Sequence, residues 1–333
     1  MKKLVAKLWA VLMLMLVSMQ TMATDTFTSD RTDFRDESIY FMMTTRFYDG
    51  DPSNNVLCWD NQEAQKSTKD PCWRGDFQGV IDKLDYIKAL GFTAIWITPV
   101  VQNASGYDYH GYHASDFSKV DCRYQSGDGK KSGDVMFQEL IDKAHAKGIK
   151  IILDIVLNHT GNFGEEHFCK EFDRDTRLRN QADINACMIP NFETLGSDYP
   201  TLQPGFQYQR RLAMMKNTDG QNRDSHNYWH HFGNFNWDLP NRWWAQIAGD
   251  CVDLNTENNT VAEYLVKCYG NFIKMGVDGF RIDTSGHISR LTFCKQFIPQ
   301  FAALGKQYED KRLNKAPFFM YGEVCARFGS VQY

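Results

Sequence analysis

Residues 261–283 read VAEYLVKCYGNFIKMGVDGFRID. The first part has helical spacing, with apolar side chains at Val261, Leu265, Tyr269, Phe272 and Ile273. Gly276 follows, where a helix ends cheaply in the left-handed conformation. Val277 to Ile282 is then an apolar, β-prone run, as expected of a strand buried on both faces. The same unit recurs. Val80-Ile81-Leu84-Ile87-Leu90 leads to Gly91 and Thr93 to Thr98. Val135-Leu140-Ile141-Ala144 leads to Gly148 and Ile149 to Leu157. A looser case runs from Leu291 to Leu304, Gly305 and Phe318 to Tyr321, and a strand from Ile39 to Phe47 precedes them all. Repeated helix–Gly–strand units predict an α/β fold with a parallel sheet. The expected strands are 39–47, 93–98, 149–157, 277–283 and 318–323.

The glycine markers are unevenly spaced. Gly91 and Gly148 lie 57 residues apart, but Gly148 and Gly276 lie 128 apart. The longer interval holds an insertion of roughly 80 to 100 residues after His159, too long for an ordinary connection. It is polar and turn-rich and carries Trp229, Trp237, Trp243 and Trp244, so it reads as a subdomain over the top of the sheet. A closed parallel barrel needs eight strands. The sequence ends at Tyr333 after the fifth, so an open sheet and an incomplete chain are both consistent with the count.

Composition excludes several classes. The 333 residues are 43% hydrophobic and 23% charged, with 24 Gly and 9 Pro, which rules out collagen-like and low-complexity chains. A net charge of −4 gives no nucleic-acid footprint. Aromatics reach 14%, which fits either a large core or a cleft whose rings stack on sugars. Lys2, Lys3 and Lys7 precede an apolar run from Trp9 to Val17, and Thr21-Met22-Ala23 is a small-residue cleavage site. These features predict an export signal cleaved near Ala23, leaving a chain of net charge −7. No later run reaches the about 18 apolar residues that a membrane span needs, so an exported chain without a membrane span is expected. Export permits disulfides among the nine cysteines, and Cys58–Cys72 and Cys169–Cys187 are the favoured pairs because each closes a short polar loop.

Three strand ends carry polar groups that a buried strand does not need. They are Asp154-Ile155-Val156-Leu157-Asn158-His159, then Gly279 to Asp283 followed by His287, then Tyr321-Gly322-Glu323-Val324. Parallel α/β folds place their active sites at such C-terminal strand ends. Two carboxylates there suit glycoside hydrolysis, in which one attacks the anomeric carbon and the other protonates the leaving oxygen. Arg281 and Asp283 are two residues apart and share one side of their strand, so the guanidinium is expected to hold Asp283 ionised as a nucleophile. Glu323 follows Gly322, and an apolar setting would raise its pKa and suit it to the acid role. Separately, Asp49-Gly50-Asp51-Pro52-Ser53-Asn54-Asn55 packs hard oxygen donors at loop spacing, which suits either calcium or an Asx-rich turn.

At these residues the sequence resembles the α-amylase family of glycoside hydrolases, family thirteen. Asp154–His159, Gly279–His287 and Tyr321–Val324 look like its first three conserved regions. Tyr109-His110-Gly111-Tyr112 looks like its aromatic –1 subsite segment, and Val252-Asp253-Leu254-Asn255 like its motif near the end of domain B. The motifs stand in family order and the resemblance covers residues 37–333.

The resemblance implies a (β/α)8 TIM barrel with domain B inserted after strand three. The implied division is a signal peptide at 1–23, barrel at 24–159, domain B at 160–257 and barrel again at 258–333. Asp283 would be the nucleophile and Glu323 the acid/base, with Arg281 orienting the nucleophile. His159 and His110 would bind the –1 sugar and Tyr112 would stack beneath it. A calcium loop would use Asp49, Asp51, Asn54 and Asn55, closed by Asp76 of Arg74-Gly75-Asp76-Phe77. A second calcium would be held by Asn158, Asp253 and the carbonyl of His287.

The implied activity is cleavage of α-1,4 bonds in starch-like glucans. Two other readings stay open: a non-catalytic glucan-binding fragment, and a transglycosylase or an enzyme of cyclic or α-1,6-linked glucans. Two departures bear on them. Gly286 stands where many α-amylases have a Lys, and no Asn-His-Asp tripeptide is present to supply the family's third carboxylate. The 333-residue chain is therefore expected to show little activity alone.

Overall fold

The computed structural model describes residues 30–55, 74–103, 110–161, 198, 206, 227–230, 232–233, 235–236, 241–248 and 251–325. Its centre is a five-stranded, all-parallel sheet. The strands are β1 (Ile39–Met42), β2 (Ala94–Ile97), β5 (Lys150–Val156), β8 (Gly279–Asp283) and β9 (Phe319–Gly322), in that spatial order. Two antiparallel ribbons stand beside it. One pairs β3 (Val101–Asn103) with β4 (Ala114–Val120), and the other pairs β6 (His159–Gly161) with β7 (Cys251–Asp253).

The helices form where the apolar period requires. They are α1 (Phe77–Asp82), α2 (Leu84–Ala89), α3 (Gly133–Ala146) and α4 (Asn259–Met275). After β8 come a single turn, α5 (Arg290–Thr292), a π-helical stretch at Phe293–Phe297 and α6 (Ile298–Gln307). Asn258 caps α4 by accepting from the Thr260 N–H, and Gly276 ends it at φ 109°. One face of α4 buries Val261, Leu265, Cys268, Tyr269, Phe272 and Ile273. The same face meets β5, whose seven residues are all buried, with the Tyr269 hydroxyl donating to the Val156 carbonyl at 3.0 Å. Phe280 of β8 joins the layers through ring contacts with Tyr269, Phe301 and Phe318.

Three expectations change in detail. The strand expected over 39–47 stops at Met42, and Thr44–Arg46 forms a 3-10 turn. The helix expected before Gly91 is two short helices that meet at Lys83. Gly305 does not end its helix but lies inside α6. A Cβ there would stand 2.5 Å from Cβ of Phe318, so this glycine lets α6 lie against the chain entering β9.

The position of the site follows from register. Asp154 lies opposite Arg281, and Val156 opposite Asp283, across β5 and β8. Arg281 lies opposite Tyr321 across β8 and β9. The polar strand ends therefore sit side by side. The ribbon β6–β7 pairs His159 with Asp253, so the chain leaves the sheet and returns to it at one place.

Candidate active site

One guanidinium organises the strand ends. Arg281 Nη1 donates to both oxygens of Asp154 at 3.0 Å and to Asp283 Oδ1 at 2.8 Å. Its Nη2 lies 3.0 Å from Glu323 Oε1. Asp154 is fully buried and its Oδ2 also accepts from the Tyr112 hydroxyl at 2.8 Å and from Trp96 Nε1 at 3.1 Å. The Trp96 ring faces the guanidinium, 5.3 Å from Cζ to the ring centre.

Three carboxyls around one cation leave excess negative charge in a dry place. Burial pushes Asp154 up to about 7, against the pull of Arg281 and with the help of Asp283. Burial also pushes Asp283 up to about 6; Arg281 lowers it and Glu323 raises it. Desolvation thus outweighs the guanidinium, and at about 6 Asp283 still ionises below neutral pH. Burial works against the charge of Arg281 too, but Asp154, Asp283 and Glu323 outweigh it and hold the proton on. Among the described residues, the Glu323 side chain is 43% exposed and paired with Arg281.

The turn after β8 is strained. Thr284 sits at φ 45° and ψ 33°, which is rare for a β-branched residue and costs on the order of 1 to 3 kcal/mol. Its N–H donates to Glu323 Oε2 at 3.0 Å, and the hydroxyl of Ser285 donates to the Glu323 carbonyl at 2.6 Å.

The structure also brings together the three residues expected at the sugar. His159 is buried, with Nε2 3.1 Å from the Tyr112 carbonyl and Nδ1 3.2 Å from Asn158 Oδ1. The Tyr112 N–H donates to His110 Nδ1 at 3.1 Å, and their rings lie 5.4 Å apart. Burial and the charge of Asp154 raise the Tyr112 phenol, so it stays a hydrogen-bond donor.

Comparison with known proteins bears on this geometry. The family described as "Alpha amylase, catalytic domain" matches residues 41–317. The chain belongs to the α-amylase family. A Beta/alpha-amylase of Paenibacillus polymyxa is 37% identical over 278 residues, covering 81% of this chain and 18% of that protein. A cyclomaltodextrin glucanotransferase of Klebsiella oxytoca is 30% identical, covering 92% of this chain and 40% of that one. Among solved structures, an Anoxybacillus α-amylase superposes with a TM-score of 0.52 at 27% identity, over 88% of this chain and 48% of that one. A γ-CGTase from alkalophilic Bacillus clarkii gives 0.55 at 26% identity, over 89% and 36%. The chain thus spans less than half the length of these relatives. Its parallel sheet with flanking helices is consistent with part of a (β/α)8 barrel.

Members of the α-amylase family commonly bind calcium, and the two expected sites differ in fit. At the first, Asp76 caps α1 and is satisfied by nitrogen donors. Its oxygens accept from the N–H groups of Gly50, Asp51 and Gly79 and from Asn54 Nδ2. Asp51 likewise accepts from the N–H groups of Ser53 and Gly127, and Asp49 Oδ2 from Asn55 Nδ2. Only Asp49 Oδ1 in this loop is buried without a partner. The arrangement is a hydrogen-bonded Asx turn and helix cap, not an oxygen cage. At the second site the donor is a side-chain amide and not fixed backbone N–H groups: Asn158 Nδ2 donates to Asp253 Oδ1 at 2.9 Å and to the His287 carbonyl at 3.3 Å. A flip of that amide would turn three oxygens toward one point, which fits a hard cation better. Among the described residues, no group of three or more His, Cys, Asp or Glu is placed to hold a metal.

Several functional candidates escaped sequence reasoning. Asp154 stands in a quoted motif but had no role, because a strand-end Asp does not announce its partner. Trp96 is hidden in an apolar strand. Thr284 and Ser285 look like ordinary turn residues. His230, whose Nδ1 lies 2.5 Å from Asp253 Oδ2, lies in a segment without periodicity. Cys58, Cys72, Cys169 and Cys187 lie outside the described residues, as does the N-terminal segment through Ala23. Cys294 and Cys325 are exposed free thiols. Among the described residues, no helix is long and apolar enough to cross a membrane.

Proposed function

We propose that this chain carries the reacting groups of an exported, retaining glycosidase that cleaves α-1,4-glucosidic bonds in starch-like glucans. The observation that carries the reading is the contact of Arg281 with Asp283 and Glu323 together. Asp283 attacks the anomeric carbon, and Glu323 gives its proton to the departing glycosidic oxygen. Glu323, now ionised, takes a proton from water, whose oxygen displaces Asp283 and completes hydrolysis. Arg281 orients Asp283 through the 2.8 Å bond and offsets part of its charge. His159, His110 and Tyr112 form the wall that holds the sugar ring before attack. Asn158, Asp253 and the His287 carbonyl would hold calcium, which would supply a structural cross-link between their segments.

The test is reducing-sugar release from soluble starch by the full-length product of the gene. Asp283→Asn and Glu323→Gln should each lower kcat by about a thousandfold or more. Trapping with a fluorinated glucoside should place the covalent sugar on Asp283. Starch turnover unaffected by either substitution would exclude this reading.

A second reading is favoured by the cyclomaltodextrin glucanotransferases among the relatives. There a sugar hydroxyl replaces water in the second step. Formation of cyclic products from starch by the full-length protein distinguishes it.

A further inference from the structure

Thr284 adopts a backbone conformation that favours glycine, immediately after the proposed nucleophile. Such a residue persists where its surroundings over-determine it, and outliers of this kind gather at functional sites. Here the surroundings are the end of β9. The Thr284 N–H donates to Glu323 Oε2 at 3.0 Å. The buried Ser285 donates its hydroxyl to the Glu323 carbonyl at 2.6 Å. The Glu323 N–H in turn bonds the Ile282 carbonyl at 2.8 Å. Gly322 makes the approach possible, since a Cβ there would stand 2.3 Å from Ser285 Oγ. Residues 282–285 therefore grip Glu323 at its amide, its carbonyl and its carboxylate.

We propose that Thr284 and Ser285 are positioning residues that fix Glu323 relative to Asp283. This rests on reading Asp283 and Glu323 as the reacting pair, and it adds what sets their separation. Among the described residues, Arg281 and the Thr284 N–H hold the Glu323 carboxylate, and the Ser285 hydroxyl holds its carbonyl. A retaining mechanism needs the two carboxyls roughly 5 to 5.5 Å apart. A shift of about 1 Å costs on the order of a hundredfold in rate. The left-handed turn at Thr284 carries the chain on to Ser285, whose hydroxyl reaches the Glu323 carbonyl, while the N–H that follows the nucleophile reaches the acid. The two carboxyls are thereby tied through a single peptide unit.

The experiment compares Ser285→Ala, Gly322→Ala, their double variant and Thr284→Gly in the full-length protein, with steady-state kinetics and thermal melting. Ser285→Ala should lower kcat by about tenfold or more and leave KM within about twofold. Gly322→Ala should do the same by blocking the hydroxyl, and the double variant should be no worse than the weaker single variant. Thr284→Gly keeps the donating N–H and the left-handed turn while relieving the strain, so it should melt no lower than wild type and keep kcat within about twofold.

A kcat for Ser285→Ala within about twofold of wild type overturns the proposal, as do multiplicative losses in the double variant. So does a Thr284→Gly protein whose kcat falls about tenfold or more while its melting temperature holds. If Gly322→Ala fails to fold, Ser285→Ala and Thr284→Gly decide on the same criteria. Asp283→Asn and Glu323→Gln separate the two levels of the argument. If both keep activity, the assignment of the reacting pair fails. If both lose it while Ser285→Ala and Gly322→Ala stay at wild type, only the grip fails.

Discussion

Asp154 and Arg281 face each other across β5 and β8, and one guanidinium nitrogen reaches both oxygens of the carboxylate at 3.0 Å. Both side chains are almost wholly buried. Without Asp154, Arg281 keeps Asp283 and Glu323, but the Tyr112 hydroxyl and Trp96 Nε1 lose their acceptor. Asp154→Ala should therefore destabilise the fold by about 1 to 3 kcal/mol, measured by urea unfolding. Asp154→Asn keeps an acceptor for both donors and should cost clearly less. Equal costs would show that packing, not the unpaired donors, governs the site.

The same carboxyl gives stability a pH dependence of known sign. Asp154 titrates near 7 when folded, above its ordinary 3.8. Between those values the folded chain holds a proton that the unfolded chain has released. Its contribution is therefore fully present below the unfolded value and is lost as pH rises through about 7. The melting-temperature difference between wild type and Asp154→Asn should shift against wild type over this window and level off above it. A difference that does not change with pH contradicts the assignment.

Calcium at the second site should stiffen the junction of the segments that hold it. Chelation should lower the melting temperature by several degrees, since a ligand that binds only the folded state stabilises it by mass action. Asp253→Asn should abolish that sensitivity, whereas Asp49→Asn should leave it intact. Sensitivity lost in Asp49→Asn but kept in Asp253→Asn would reverse the two assignments.

Phe280 tests the core independently of chemistry. It is fully buried and touches the rings of Tyr269, Phe301 and Phe318. Phe280→Ala should cost about 3 to 5 kcal/mol in chemical denaturation. A loss below about 1 kcal/mol would mean that the layers repack without it.

The parallel order was legible because Gly91, Gly148 and Gly276 mark real left-handed helix ends at φ 90°, 75° and 109°. Each expected strand exists within a few residues of its reading. Gly305 misled because close packing and helix termination both call for glycine, and one sequence does not tell them apart. In the site, Arg281 and Asp283 were legible from a two-residue spacing within one strand. Asp154, Trp96 and Tyr112 meet through register and long-range folding, with 42 residues separating Tyr112 from Asp154. The charge balance was also illegible. It depends on burial, and a guanidinium two residues away reads as dominant until the dry surroundings are known.

The narrow neck formed by β6 and β7 has a consequence for insertions and deletions. Three register pairs, His159 with Asp253, Thr160 with Val252 and Gly161 with Cys251, join the two ends of the intervening stretch. Because those ends are neighbours, insertions or deletions between them would be absorbed without shifting the register of the parallel sheet or moving Arg281 and its carboxyls.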